Sequence, residues 1–317
     1  MSLPKRVTIV EVGPRDGFQM ETAILPTDVK VGVIELLAQA GVPKIEATSF
    51  VSPKLIPQLA DAADVMALVK RRPGTRYTVL VPNAKGAERA VAARADGIRL
   101  VICASETYNQ RNVGMSVAES LALLPRILEV ARPSGTPVEA VIGLAFGCPF
   151  EGEVPEARVI ALAREIAGHG VLDISLADSI GTANPVQVRR VADRALRELP
   201  QARFSLHIHD TRGLGLANVL AALECGIDCF DAGFGGLGGC PVFAGASGNI
   251  PTEDLVNMCE EMGIETGIDL GPLREAARRV QELLGRTLPS HVLRVGTRAE
   301  LYARAAARQR QEVQGGK

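Results

Sequence analysis

Eight short runs of apolar and β-branched residues, each followed by a stretch with helical periodicity, constrain the fold of this 317-residue chain more than any other feature. Alternation of this kind signals βα units around a parallel sheet. The runs place strands near residues 7–13, 44–50, 76–82, 97–104, 137–145, 171–177, 203–209 and 228–234. The stretches between and after them place helices over 28–40, 56–71, 84–94, 117–131, 155–169, 185–199, 217–225 and 251–262. Eight parallel strands suggest closure, so the expected fold is α/β, a TIM (β/α)8 barrel with additional C-terminal helices over 273–284 and 298–310. The expected organisation is a catalytic barrel over 1–268 and a helical extension over 269–317 packed on it.

Local punctuation agrees with the periodicity. Thr27 stands where it can cap the first helix, Pro155 and Pro185 where a first-turn proline is tolerated, and Gly41, Gly170, Gly226 and Gly263 follow helical stretches. Charge is balanced, with 35 Lys and Arg against 36 Asp and Glu, so nucleic acid and membrane are not expected as partners. The chain has no apolar run of about 18 residues and no charged-then-apolar leader, so the expectation is a soluble, unprocessed protein. Six cysteines without a CxxC pair fit free thiols in a reducing compartment, with the cytoplasm as default.

In a barrel of this kind catalytic residues stand at the C-terminal ends of several strands. Unusual polar residues fall there. The first strand runs into Val12-Gly-Pro-Arg-Asp-Gly-Phe-Gln19, the second carries Glu46 and reaches Ser49, the sixth ends at Asp178, and the seventh carries His207 and His209. Side chains two apart on a strand share a face, so His207 and His209 can aim two imidazoles at one point. Asp16 is a plausible third ligand, and Asn249 could close the set through its amide oxygen. Two imidazoles with oxygen donors favour a hard or borderline ion such as Mg2+ or Mn2+.

The segment Gly235-Gly-Leu-Gly-Gly-Cys-Pro-Val-Phe-Ala-Gly-Ala-Ser-Gly-Asn249 reads as a lid that allows close approach to a ligand. Cys240 within it is the better acid/base candidate, and Cys148 has the same local look with a weaker case. The remaining cysteines, 103, 225, 229 and 259, fall within strands or helices and are expected in the core, while His169 and His291 are expected in surface or structural roles.

Together these motifs closely resemble the 3-hydroxy-3-methylglutaryl-CoA lyase family, from Val7 to about Gly267. The segments that carry the resemblance are Val12 to Gln19, Thr48-Ser-Phe-Val-Ser-Pro-Lys54, Gly147-Cys-Pro-Phe-Glu-Gly152, His207-Ile-His-Asp-Thr211, and Gly238 to Asn249 with Thr252-Glu-Asp-Leu-Val256. The resemblance implies a TIM barrel with a C-terminal helical region, dependence on Mg2+ or Mn2+, a dimer, and cleavage of a 3-hydroxyacyl-CoA into acetyl-CoA and a ketoacid. It implies that Asp16, His207, His209 and Asn249 bind the metal, that Arg15 stabilises the enolate, that Cys240 handles protons and that Glu46 holds Arg15 or the ligand set. Asp16 and His207 thereby join the catalytic set. Substrate contacts are expected from Arg15, Gln19, Ser49, Asn112 and Arg212.

Two departures bear on the substrate. Members of that family continue the first motif with Leu-Gln-Asn-Glu, where this chain has Phe18-Gln-Met-Glu21, and follow His-Asp-Thr with Tyr-Gly-Gln, where this chain has Arg212-Gly-Leu214. The expected substrate is 3-hydroxy-3-methylglutaryl-CoA, giving acetoacetate. The alternative is citramalyl-CoA, giving pyruvate. A metal-dependent condensing enzyme of the isopropylmalate or citramalate synthase type would share Arg-Asp and His-x-His but gives no reason for the Cys240 lid. A silent barrel would be expected to have lost at least one ligand, and none is missing.

Overall fold

The computed structural model describes residues 3–239 and 248–315, with side chains through residue 311. Cys240 lies outside the described residues. Strands β1 (Thr8–Glu11), β2 (Lys44–Ser49), β3 (Arg76–Leu80), β4 (Gly97–Cys103), β5 (Val138–Gly143), β6 (Asp173–Asp178), β7 (Arg203–Ile208) and β8 (Cys229–Ala232) pair in sequence order. Every pairing is parallel, and β8 returns to β1, closing the expected barrel.

Register sorts the side chains. Val10 pairs with Lys44 on one side and Asp231 on the other, Arg99 pairs with Glu139, and His207 pairs with both Ala177 and Asp231. Paired residues share a face, so these point together into the barrel. The Arg99 guanidinium reaches Asp231 on β8 from β4, a contact between non-adjacent strands that crosses the interior. The lumen therefore holds Lys44, Glu46, Arg99, Glu139 and Asp231, each under 9% exposed, in place of an all-apolar filling. The alternate positions, among them Ile9, Ile45, Ile98, Ile102, Ile174, Leu206 and Phe230, belong to the apolar core that the surrounding helices complete.

The helices follow with local corrections. Thr27 does not cap: Pro26 precedes the helix Thr27–Gln39 without a side-chain bond, and the Thr27 hydroxyl donates to Asp61 at 2.7 Å. The stretch 56–71 is a 3-10 turn, Pro57–Leu59, and a shorter helix, Ala62–Leu68, because Pro57 has no N–H to continue a helix and keeps Ile56 extended. The stretch 117–131 divides into Val117–Leu121 and Leu124–Ala131, with Pro125 in the first turn of the second piece. Pro185 sits in a first turn capped by Asn184, and Pro155 stands one residue before the helix Glu156–Gly168. Gly41, Gly170, Gly226 and Gly263 all have φ between +74° and +100°, the left-handed turn that ends a helix.

Beyond the barrel, Leu270–Leu284 packs on Thr27–Gln39 through Leu273, Ala276, Ala277 and Val280, all fully buried in the same core. A short helix, His291–Val295, is anchored by Asp254, which accepts from Ser290, from the backbone of His291 and Val292, and contacts the His291 ring. The last helix, Arg298–Gly315, is exposed from Arg298 through residue 311. Among the described residues no helix is long and apolar enough to cross a membrane.

Candidate active site

The chain leaves β1 through a single π-helical turn, Gly13–Gly17, which swings Arg15 and Asp16 over the barrel mouth while keeping both buried. Glycine is needed at the first position because a Cβ on Gly13 would lie 2.6 Å from the Phe234 ring. Opposite, Gly238 has φ +124°, and a Cβ there would lie 2.5 Å from the Asn249 amide nitrogen and 3.2 Å from an Asp16 oxygen. The backbone after β8 thus closes directly on the Asp16–Asn249 contact.

The expected ligands converge. Asp16 Oδ2 accepts from the Asn249 amide at 2.8 Å and stands 3.8 Å from His209 Nε2, which is 3.1 Å from His207 Nε2. Ligand atoms of Asp16, His207 and His209 all lie within 4.8 Å of one another. A bridge between His209 and Asn249 holds the last donor beside them.

Behind these ligands runs a chain of carboxylates and guanidinium groups. Arg15 donates from Nη1 to Asp16 Oδ1 at 2.5 Å and from Nε to Glu46 Oε1 at 2.7 Å. Gln19 also donates to Asp16 Oδ1, at 3.1 Å. Glu46 turns its other oxygen to Arg99 Nη1 at 2.9 Å, Arg99 Nη2 donates to Asp231 Oδ2 at 2.7 Å, and that same oxygen is 3.1 Å from His207 Nδ1. A carboxylate on Nδ1 keeps the proton there, which leaves the Nε2 lone pair facing His209 and Asp16. The residues thus close a ring: Asp16, Arg15, Glu46, Arg99, Asp231, His207, His209 and back to Asp16.

The electrostatics prepare this site for a cation. Burial and the neighbouring His207 push the His209 imidazole down to about 4, so it is neutral at ordinary pH and its nitrogens are available. Burial acts to raise the Asp16 carboxyl, but Arg15 and the two histidines hold it below the ordinary carboxylate range. The same contest at Asp231, burial against Arg99 and His207, also leaves a carboxylate well below its usual range.

A divalent ion fits this donor set. Asn249 Oδ1 is buried without a hydrogen-bond partner, so it is not committed to another group. Neighbouring ligands of an octahedral ion with bonds of about 2.1 Å stand about 3 Å apart, close to the separation of the two imidazole nitrogens. Buried polar atoms without partners are otherwise costly.

Of the other expected residues, Ser49 is buried with a hydroxyl that has no partner, and Asn112 is exposed in the last turn of the helix Glu106–Val113. Arg212 is exposed and donates from Nη1 to the carbonyls of Ile180 and Gly181 at 3.1 and 2.9 Å. No described hydrogen bond or ion pair connects these three to the ring. Asp178 accepts from the amides of Thr182 and Ala183, ordering the loop after β6. Cys148 is buried against Ser105, whose hydroxyl donates to Glu151 at 2.8 Å, so the thiol is left as the donor to Ser105 at 2.9 Å. Of the cysteines expected in the core, Cys103 and Cys259 are buried, whereas Cys225 and Cys229 are only half-buried.

Sequence reasoning missed Asp231 and Arg99. A charged residue inside an otherwise apolar central strand, Cys229-Phe-Asp-Ala or Ile98-Arg-Leu, was the available signal.

The HMGL-like family profile matches residues 6–280. The mitochondrial hydroxymethylglutaryl-CoA lyase of Rattus norvegicus is 45% identical over 291 residues, which cover 92% of this chain and 90% of that protein. Among solved structures, the HMG-CoA lyase of Bacillus subtilis is 44% identical with a TM-score of 0.91, covering 93% of this chain and 99% of its own. An HMG-CoA lyase from Acinetobacter baumannii, solved in complex with coenzyme A and 3-methylmalate, is 46% identical with a TM-score of 0.90, covering 94% and 97%.

Proposed function

The chain belongs to the HMGL-like family, and from that premise we propose that it is a divalent-metal-dependent carbon–carbon lyase cleaving 3-hydroxy-3-methylglutaryl-CoA to acetyl-CoA and acetoacetate. The observation that carries this reading is the convergence of buried Asp16 and His209 with half-buried His207 at the barrel mouth, beside an arginine fixed by two carboxylates.

The reaction breaks the bond between C2 and C3 of the acyl group. The C3 hydroxyl loses its proton and becomes the ketone of acetoacetate, the bonding pair stays on C2 as the acetyl-CoA enolate, and a proton delivered to C2 completes acetyl-CoA. A divalent ion held by Asp16, His207, His209 and Asn249, Mg2+ or Mn2+ in this reading, supplies the charge that lowers the pKa of the hydroxyl and orients it. Arg15 commits Nε and Nη1 to Glu46 and Asp16, leaving Nη2 without a partner among the described residues and able to meet the enolate oxygen. A preorganised donor at that oxygen contributes roughly 3 to 4 kcal/mol to the transition state. Cys240 is assigned the proton for C2. Gln19, Ser49, Asn112 and Arg212 are assigned substrate contacts; the unpartnered, buried Ser49 hydroxyl supports that role. The reading extends to an acyl-CoA substrate, a homodimer and a cytoplasmic location, with a barrel over 1–268 and an extension over 269–317.

Citramalyl-CoA is the second reading. It is favoured by Met20, Arg212 and Leu214, and by the 3-methylmalate held by the A. baumannii relative, a branched hydroxy diacid. Steady-state assays of 3-hydroxy-3-methylglutaryl-CoA and both citramalyl-CoA enantiomers decide between the two. A kcat/KM at least tenfold higher for 3-hydroxy-3-methylglutaryl-CoA is expected, and the reverse order would transfer the assignment to citramalyl-CoA.

A further inference from the structure

Arg99 lies outside every role assigned so far, yet it is the point at which the ring is joined. It is 2% exposed and surrounded by three carboxylates: Nη1 is 2.9 Å from Glu46, Nη2 is 2.7 Å from Asp231, and Nε is 3.7 Å from Glu139. Glu139 is also paired with Lys44, so its charge is shared. Glu46 and Asp231 each have Arg99 on one side and a site residue on the other, Arg15 and His207 respectively.

We propose that Arg99 is a positioning residue that sets the enolate-stabilising side and the metal-binding side of the site together. One planar guanidinium directs Nη1 and Nη2 in a fixed fork, so the angle between its two carboxylates is set by the group itself. Glu46 then aims Arg15 through Nε, and Asp231 aims the His207 ring through Nδ1. Among the described residues Arg99 is the one group bonded to both carboxylates: the other partner of Glu46 is Arg15 and that of Asp231 is His207, the residues to be aimed, and Asp231 Oδ1 is buried without a hydrogen bond. The neutral lumen residues Thr78 and Ser175 carry no positive charge, and the lumen cation Lys44 is paired with Glu139. A lysine would place one point charge between the carboxylates and could not hold both in register.

This rests on the metal reading of Asp16, His207 and His209, and the experiment separates the two. Mn2+ affinity is measured by calorimetry on metal-stripped protein, with kcat, KM and thermal midpoint, for the wild type, Arg99→Lys, Glu46→Gln and Asp231→Asn. Arg99→Lys keeps the buried positive charge and is expected to keep the fold, which the thermal midpoint checks. It is expected to weaken Mn2+ binding about 10-fold or more and to lower kcat about 100-fold, with KM within about threefold. Glu46→Gln is expected to lower kcat with Mn2+ affinity retained, and Asp231→Asn to weaken Mn2+ affinity chiefly. A wild-type protein that binds no Mn2+ would overturn the metal reading itself. A wild type that binds Mn2+, beside an Arg99→Lys protein with unchanged affinity and kcat, would overturn the positioning role alone, as would a loss confined to the thermal midpoint.

Discussion

Arg15 illustrates how a single side chain is specialised by its neighbours. Burial works against its charge, but Glu46 and Asp16 stand beside it and keep it raised above the ordinary arginine value, so it is a permanent cation in a buried site. Two of its nitrogens are fixed, so in the proposed role its orientation would cost nothing further when charge develops on the substrate. Arg15→Met is therefore expected to lower kcat by about two to three orders of magnitude with KM within about threefold, the pattern of a lost transition-state interaction. A normal kcat with a raised KM, measured in the same steady-state assay, would make Arg15 a binding residue. The converging residues were legible in the sequence because polar residues at the strand ends of an eightfold pattern stand out: Arg15, Asp16, Glu46, His207 and His209 come together, joined by Asn249 from the glycine-rich segment after β8. Asp231 and Arg99 were not, because their meaning depends on register and on a contact across the lumen, neither of which a linear pattern encodes.

At the scale of elements, the strands were readable because parallel strands buried on both sides are near-continuous apolar runs. Helix Glu106–Val113 was not, since it buries only Tyr108 and Asn109 and has no apolar stripe to reveal it. The elements around the site are joined by two buried carboxyls. Glu11, at the end of β1, accepts from the amides of Gly13 and Phe234 and from the Thr252 hydroxyl, and Glu253, in helix Thr252–Glu261, accepts from the Gly235 amide with both oxygens. Burial raises Glu11 to about 7 and Glu253 to about 8 against these hydrogen bonds. The folded state therefore holds their protons longer than the unfolded chain. Their stabilisation is full below the unfolded value of 4.5 and is lost as pH rises through about 7 and 8. Below about 6.5 the lowered His209 acts in the opposite direction, since the unfolded chain takes up that proton first. Between pH 7 and 8.5 the thermal midpoint is expected to fall by a few degrees, at roughly 2–4 °C for each kcal/mol. Glu253→Gln, which mimics the protonated group, should flatten that slope in a calorimetric scan. An equal slope in wild type and variant would show that Glu253 is already ionised in the fold.

For the molecule as a whole, barrel closure is what turns separate strand ends into one site. Asp16 comes from the turn after β1, Glu46 from β2, Arg99 from β4, the histidines from β7 and its end, and Asp231 from β8, so the ring exists only when β8 pairs with β1. The lumen charges are correspondingly expensive to leave unpaired, which ties integrity of the barrel to integrity of the site. On the proposed reading this assembled ring binds a divalent ion on which cleavage depends. The most direct measurement is a paired one on metal-stripped protein: calorimetric Mn2+ titration and 3-hydroxy-3-methylglutaryl-CoA cleavage, for the wild type and His209→Ala, with circular dichroism to verify the fold. The wild type should bind one ion per chain and regain activity as the site fills, while His209→Ala stays folded and loses both. A His209→Ala protein, or a fully chelated wild type, that still cleaves 3-hydroxy-3-methylglutaryl-CoA to acetyl-CoA and acetoacetate at the wild-type rate would contradict it.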